Sequence, residues 1–147
     1  MDNFNNGRGV PVYARNILHD LAKERGLTYF LELEDDYSSY SSRVKTKNNQ
    51  LMQFYIRDLD SIIDAMIEFL DTSGAITVTM AQDGDFIGGI GGKIYKQRLA
   101  RKAMQTFFCR TDKPFQFLGR FNDDVNAYVE HGKRGTLFFS VCDLSVH

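Results

Sequence analysis

No apolar run in this chain approaches the roughly 20 residues of a membrane-spanning helix. Nor does an apolar leader open it, because Met1 to Gly9 is polar and asparagine-rich, a ragged terminus expected to be disordered. Both absences predict a cytoplasmic protein that does not enter a membrane. Cysteine is equally scarce. Cys109 and Cys142 are too few for a disulfide framework, and no CxxC or Cys/His ligand spacing accompanies them, which argues against zinc and predicts buried, reduced thiols. The glycine-rich stretch is not followed by GKS or GKT, and its spacing does not match the dinucleotide fingerprint, so a Walker loop and a dinucleotide site are both excluded. Repeats, low-complexity tracts and internal linkers are absent too.

What is present is a composition of 43% hydrophobic and 25% charged residues over 147 positions, enough for one domain, residues 1–147, with a sizeable core. The formal net charge of -1 excludes a protein coated in positive charge, yet the distribution is uneven. Lys93, Lys96, Arg98, Arg101, Lys102, Arg110 and Lys113 fall in a stretch whose only acid is Asp112. Such a stretch suits either a polyanion such as DNA or a plain solvated surface. Phe107 and Phe108 within it suit base stacking or core.

The chain is organised around Thr28 to Tyr37, an apolar-rich run that ends in adjacent carboxylates. Tyr29, Leu31 and Leu33 alternate as in a half-buried strand, which puts Glu34 and Asp36 on one side and Asp35 on the other. Two like charges held together call for a cation, and oxygen ligands suit hard Mg²⁺ or Mn²⁺; a solvated acidic turn is the plainer alternative. Glu32 shares the face of Glu34, and its state stays open.

Before this run, Pro11 and the recurrence of Ala14, Ile17, Leu18 and Leu21 predict a helix stopped by Gly26. After it, Ser38 to Ser42 reads as a polar loop, and a strand is expected around Gln50 to Ile56. Asp58 or Asp60 caps a helix whose buried stripe is Ile62, Ile63, Met66, Phe69 and Leu70, with Gly74 past its end. Ala75 to Met80 predicts a strand that opens into Gly84, Gly88, Gly89, Gly91 and Gly92, a loop whose backbone can approach a ligand closely. Further strands are expected at Lys102 to Arg110 and Leu137 to Val141, separated by a short helix from an Asn122 cap to Gly132. Helices alternating with strands predict an α/β fold with a mainly parallel sheet and ligands at its carboxyl end.

The order Ala14-Arg15-Asn16, then Leu33-Glu34-Asp35-Asp36-Tyr37, then the glycine loop, then Arg120-Phe121-Asn122-Asp123-Asp124-Val125-Asn126 resembles the GT-A glycosyltransferases. More narrowly it is similar to the TET/JBP-associated glycosyltransferases, found largely in phages and thought to sugar hydroxymethylated pyrimidines in DNA. The resemblance runs from about Gly9 to Val141. It implies a GT-A-like sheet and transfer of a sugar from a nucleotide-sugar donor to a hydroxyl, with inversion. It further implies that Glu34 and Asp36 hold the metal, joined by His147, and that Arg15, Asn16, Asp35 and the loop of Gly88, Gly89 and Gly91 contact the donor. Asp124 corresponds to the base on the acceptor, and Asp123 to its neighbour. The acceptor, if DNA, then lies along Lys93, Lys96, Arg98, Arg101 and Lys102. His19 and His131 are expected at the surface.

The chain departs from that pattern in having almost nothing before its first helix, where GT-A folds carry βα units. The expectation is an N-terminally truncated domain, with three alternatives open: a fragment, a chain whose donor site a partner chain or second copy completes, or a reduced relative that need not be active. Two other classes fit the same residues: a non-catalytic nucleic-acid-binding or assembly subunit, and a metal-dependent nuclease or nucleotidyl transferase.

Overall fold

The computed structural model describes residues 11–92, 96 and 102–147. Helix α1 (Pro11–Glu24) leads into strand β1 (Tyr29–Glu32), then the hairpin of β2 (Tyr40–Lys45) and β3 (Leu51–Tyr55), helix α2 (Leu59–Ser73) and strand β4 (Thr77–Gln82). Two single-turn helices at Asp83–Phe86 and Gly89–Gly91 follow, then β5 (Phe107–Arg110), α3 (Asp123–Gly132) and β6 (Phe138–Val146). None of the described helices is long and apolar enough to cross a membrane.

The six strands form one sheet in the order β1-β5-β4-β6-β2-β3. The expected mainly parallel sheet is corrected here: only β4 and β6 pair in parallel, and the other four pairings are antiparallel. The cause lies in the connections. Parallel neighbours need a crossover of about a dozen residues or more, whereas β2 and β3 are joined by residues 46–50 alone, and β5 slots antiparallel between β1 and β4. The pairings still run β1, β3, β4 and β6 one way, so the carboxyl ends of β1, β4 and β6 share one end of the sheet. Along β6 the register jumps from Met80↔Val141 to Ala81↔Ser145, a bulge beyond which β6 also pairs with β2. That irregularity carries the strand on to Val146, well past the expected end at Val141.

Helices cover both faces. Tyr29 and Leu31 of β1 turn toward α2, whose Met66 and Leu70 pack with Val78, Met80 and Phe108. Each such fully buried side chain contributes roughly 1.5–3 kcal/mol. Helix α2 begins and ends as its sequence dictates, with Asp58 accepting from the Ser61 N–H and Gly74 left-handed at φ 73°. On the opposite face Phe30 packs with Val12, Phe107, Phe115, Phe117 and Ala127. Phe107 and Phe108 are therefore core, which removes them as stacking surfaces. Cys109 is buried as a reduced thiol pushed up to about 12 by that burial, whereas Cys142, likewise in no disulfide, is only half-buried, which corrects the expectation of two buried thiols.

Three further expectations are corrected. The buried face of α1 is Val12, Arg15, His19 and Ala22, and Ile17 and Leu21 are exposed. Tertiary partners decide this, since Arg15 is drawn to carboxylates and the His19 ring meets Phe30 and Phe115 edge-on at 4.8 and 5.5 Å. The strand expected from Lys102 begins only at Phe107. Asn122 makes no side-chain cap on α3 and sits left-handed at φ 50°.

Candidate functional site: an acidic cleft closed on a buried arginine

Arg15 reaches the carboxyl end of the sheet from the first turns of α1. Although only 8% exposed, it meets three carboxylates: Nε lies 2.8 Å from Glu32, Nη2 2.5 Å from Glu34 and Nη1 3.3 Å from Asp123. Its guanidinium also stands over Phe117 and Phe107, at 5.0 and 5.7 Å from the ring centroids. Arginine suits this place because its planar fork serves several carboxylates at once and stacks on aromatic faces.

One arginine thus ties the acid pair after β1 to the acid pair at the start of α3. Asp124 is buried, with Oδ1 accepting from the Val125 N–H at 2.7 Å, and has no cationic partner among the described residues. Asp35 and Asp36 are exposed and make no ion pair among those residues. Negative charge outnumbers positive, and the carboxyls register it. Burial drives Glu32 up to about 7, against the pull of Arg15 and with the push of Asp123 and Glu34. Its Oε1 is ion-paired yet accepts no aligned hydrogen bond. Glu34 is likewise raised by burial, opposed by Arg15 and reinforced by Asp36 and Asp124. Burial also raises the Tyr37 phenol, with Glu34 and Asp36 adding to it. A cleft of about 480 Å³ lies over this cluster, walled by Pro11, Ala14 and Leu18 of α1 and by residues 32–36.

Asn16 does not point into that cleft. Its side chain clamps the main chain of Phe117, donating to the carbonyl at 3.0 Å and accepting from the N–H at 2.8 Å, so it fixes the wall behind Arg15.

A second cluster lies across the same end of the sheet. Buried Arg43 pairs with Asp83, donates to Ser145 Oγ at 2.5 Å and packs 3.8 Å over the Phe86 ring. His147 joins it: Nδ1 is 3.4 Å from Asp83, and Nε2 is 2.6 Å from Ser41 Oγ and 3.1 Å from Gln53 Nε2. The terminal residue is not frayed, because its carbonyl accepts from the Ser38 and Ser39 N–H groups, close behind Asp36. The glycine loop borders this second cluster, with Gly89 lining a cleft of about 280 Å³ beside Arg43, Asp83 and Phe86. Gly88 and Gly89 are left-handed, and a Cβ on Gly92 would sit 2.5 Å from the Ile87 carbonyl oxygen.

The structure therefore brings together Arg15, Glu34, Asp36, Asp123 and Asp124, and sets the His147 ring and Gly89 beside Arg43, with Gly88 and Gly91 on either side of Gly89 in the same loop. Of the basic stretch, Lys96 and Lys102 are exposed, while Lys93, Arg98 and Arg101 lie outside the described residues. Arg110 is spoken for by Asp71 at 2.5 Å and Asp112 at 2.8 Å. His19, expected at the surface, is buried with both ring nitrogens unpartnered, and burial lowers its basicity. His131 is half-buried and bonds the Gln116 carbonyl at 2.9 Å. Sequence reasoning left Glu32 open and passed over Arg43 and Asp83, although Asp83-Gly84-Asp85 after β4 repeats the signal of acids at a strand's end.

In open α/β sheets ligands bind beyond the carboxyl ends of the strands, and this all-oxygen acidic cleft lies there. Among the described residues no three His, Cys, Asp or Glu side chains are grouped to hold a metal. The oxygen donor set does fit Mg²⁺ or Mn²⁺ of the kind that one or two carboxylates share with substrate phosphates and water. A family model described as TET-Associated Glycosyltransferase matches residues 1–147, and the chain belongs to that family. No match is found among curated proteins or solved structures. The family makes the chain a glycosyltransferase by class.

Proposed function

We propose that the protein transfers a sugar from a nucleotide-sugar donor to a hydroxyl acceptor, with inversion at the sugar carbon, and that the acceptor is a hydroxymethylated pyrimidine of phage DNA. The observation that supports this reading is the bridge through Arg15, at 2.5 Å to Glu34 and 3.3 Å to Asp123, which ties the two acid pairs to a single guanidinium at the edge of the cleft. Glycosyl transfer needs three things: a stabilised leaving diphosphate, room for an oxocarbenium-like sugar, and a base for the acceptor proton.

Asp124 is the base. As the acceptor oxygen bonds to the anomeric carbon and the bond to the diphosphate breaks, the hydroxyl proton passes to its carboxylate. Asp123, held by Arg15, positions the acceptor. Glu34 and Asp36 are the residues that would hold a divalent ion, while the His147 ring, engaged with Asp83, Ser41 and Gln53 in the other cluster, is left out of that set. When bound, such an ion neutralises the departing phosphates. Arg15 keeps Glu34 and Asp123 in place rather than binding phosphate, since three carboxylates already surround it.

A thermal-shift screen of nucleotide sugars with and without Mn²⁺ tests this. Ligands that bind only the folded state raise its melting temperature. One donor raising it with Mn²⁺, and failing to do so in Asp36→Asn, is the expected result. No donor shifting the wild-type protein under either condition counts against the reading.

A further inference from the structure

Two apolar side chains stand out from the rest of the described surface, Phe121 at 83% exposure and Ile87 at 82%. Phe121 lies two residues before Asp123, so its Cα is within about 7 Å of the Cα of the residue whose carboxylate touches Arg15. Its loop is stiff. Asn126 Nδ2 donates to the carbonyls of Leu118 and Phe121 at 2.9 and 3.1 Å, and Asn122 is held left-handed beside them. Gly119, at φ +90°, passes so near that amide that a Cβ would sit 2.6 Å from it. The loop's backbone is therefore pinned while the phenyl ring it carries stands out in water, when burying it would be favourable by roughly 1.5–3 kcal/mol. Backbone conformations of this uncommon kind persist where the surroundings over-determine them, and they gather at functional sites.

The surroundings say what the ring receives. The cleft's own side chains include more carboxylates than cations, so away from a bound divalent ion the phosphates of a nucleic-acid backbone are disfavoured there while a neutral flat ring is not. Arg120, next in the chain, is exposed and makes no ion pair among the described residues, which leaves a cation for a phosphate outside the acidic zone. A phenyl face with a neighbouring guanidinium is the pairing by which proteins hold an unpaired nucleobase and its backbone. Phe107 and Phe108, the aromatics of the basic stretch, are buried and cannot serve.

We propose that Phe121 is the acceptor platform, on which a nucleobase turned out of its strand stacks beside the acidic cleft. Its direction rests on the glycosyl-transfer reading, in that the stacked base carries the hydroxyl that faces Asp124; the stacking itself does not.

The chain contains no tryptophan, so Phe121→Trp provides a single emitter at the platform. Tyr55→Trp, on the β3 edge, provides one at a comparably exposed site on the far strand of the sheet. Each is titrated with a short single-stranded oligothymidine, with its duplex and with maltoheptaose. The single strand is expected to quench Phe121→Trp saturably and Tyr55→Trp little, the duplex to act more weakly, and maltoheptaose to leave both unchanged. Phe121→Leu, with an unaltered melting temperature, is expected to bind the single strand about tenfold more weakly than wild type. Equal quenching of both emitters, quenching by maltoheptaose, or wild-type binding by Phe121→Leu would overturn the proposal. Sugar transfer is assayed separately, so wild-type protein that stacks the strand yet transfers no sugar sinks the glycosyl-transfer reading and leaves the platform standing.

Discussion

Two buried arginines sit at the same end of the sheet, and their surroundings differ in one respect that matters. Arg15 meets Glu32, Glu34 and Asp123, with Asp36 and Asp124 near enough to raise Glu34. Arg43 meets one carboxylate, Asp83, and completes its bonding with Ser145, Gln53 and the Phe86 ring. The second cluster is close to neutral and fully bonded, as a clamp between strands should be. The first is left with excess negative charge in a partly dry cleft, and a fold keeps such an arrangement where chemistry or a cation uses it. On the proposed reading, the contrast puts function at Arg15 and a structural clamp at Arg43.

Removing each arginine sharpens the contrast most. Arg15→Met leaves three carboxylates facing one another without their cation, and breaking a buried pair in this way costs about 3–5 kcal/mol. Urea unfolding at neutral pH measures it, and the loss should shrink in acid as the carboxyls protonate. A loss that stays the same across pH would mean that Arg15 acts by packing alone.

The charge excess also has a pH signature. Glu32 titrates near 7 in the folded chain against about 4.5 unfolded. Between those values the folded state holds a proton that the unfolded state has released. Its contribution to stability is therefore complete below about pH 4.5 and is lost as pH rises to 7, on the order of 3 kcal/mol in all. Glu32→Gln should flatten that decline relative to wild type when unfolding free energies at pH 5 and 8 are compared. Parallel curves for the two proteins would contradict the buried, raised carboxyl.

Arg43→Met should cost less, about 2 kcal/mol, from the lost ring stacking and hydrogen bonds. It should show little pH dependence because a single half-exposed carboxylate is left behind. Equal pH dependence in the Arg15 and Arg43 variants would erase the distinction between the clusters. Asn16→Ala is the smallest change, about 1 kcal/mol or somewhat more, since it frees the Phe117 N–H and carbonyl. Its effect on sugar transfer should come through a loosened Arg15 rather than through donor binding, so the donor KM should stay near that of wild type.

Much of the site was legible in the sequence because its signals are local. The alternation in Tyr29 to Glu32, the acids that follow it, the Asp58 and Gly74 limits of α2 and the acids opening α3 each depend on a few neighbouring residues. Arg15 facing inward was not legible, since the apolar spacing of Ala14, Ile17, Leu18 and Leu21 names a different face of α1. Only the distant carboxylates and the Phe30 and Phe115 rings turn that helix. Strand direction was hidden for a similar reason: β5 gives no local sign that it runs antiparallel between β1 and β4. The place of His147 was hidden as well, since only its hydrogen bonds to Ser38 and Ser39, just before β2, fix it in the structure.

The central claim is that the cleft over Arg15 transfers a glycosyl group with Asp124 as base. The direct measurement is the mass gained by a hydroxymethylpyrimidine oligonucleotide incubated with nucleotide sugars and Mn²⁺, for wild type and for Asp124→Asn of equal melting temperature. A sugar-sized mass gain that falls at least about 100-fold in the variant is the expected result. Transfer at the wild-type rate by Asp124→Asn would contradict it.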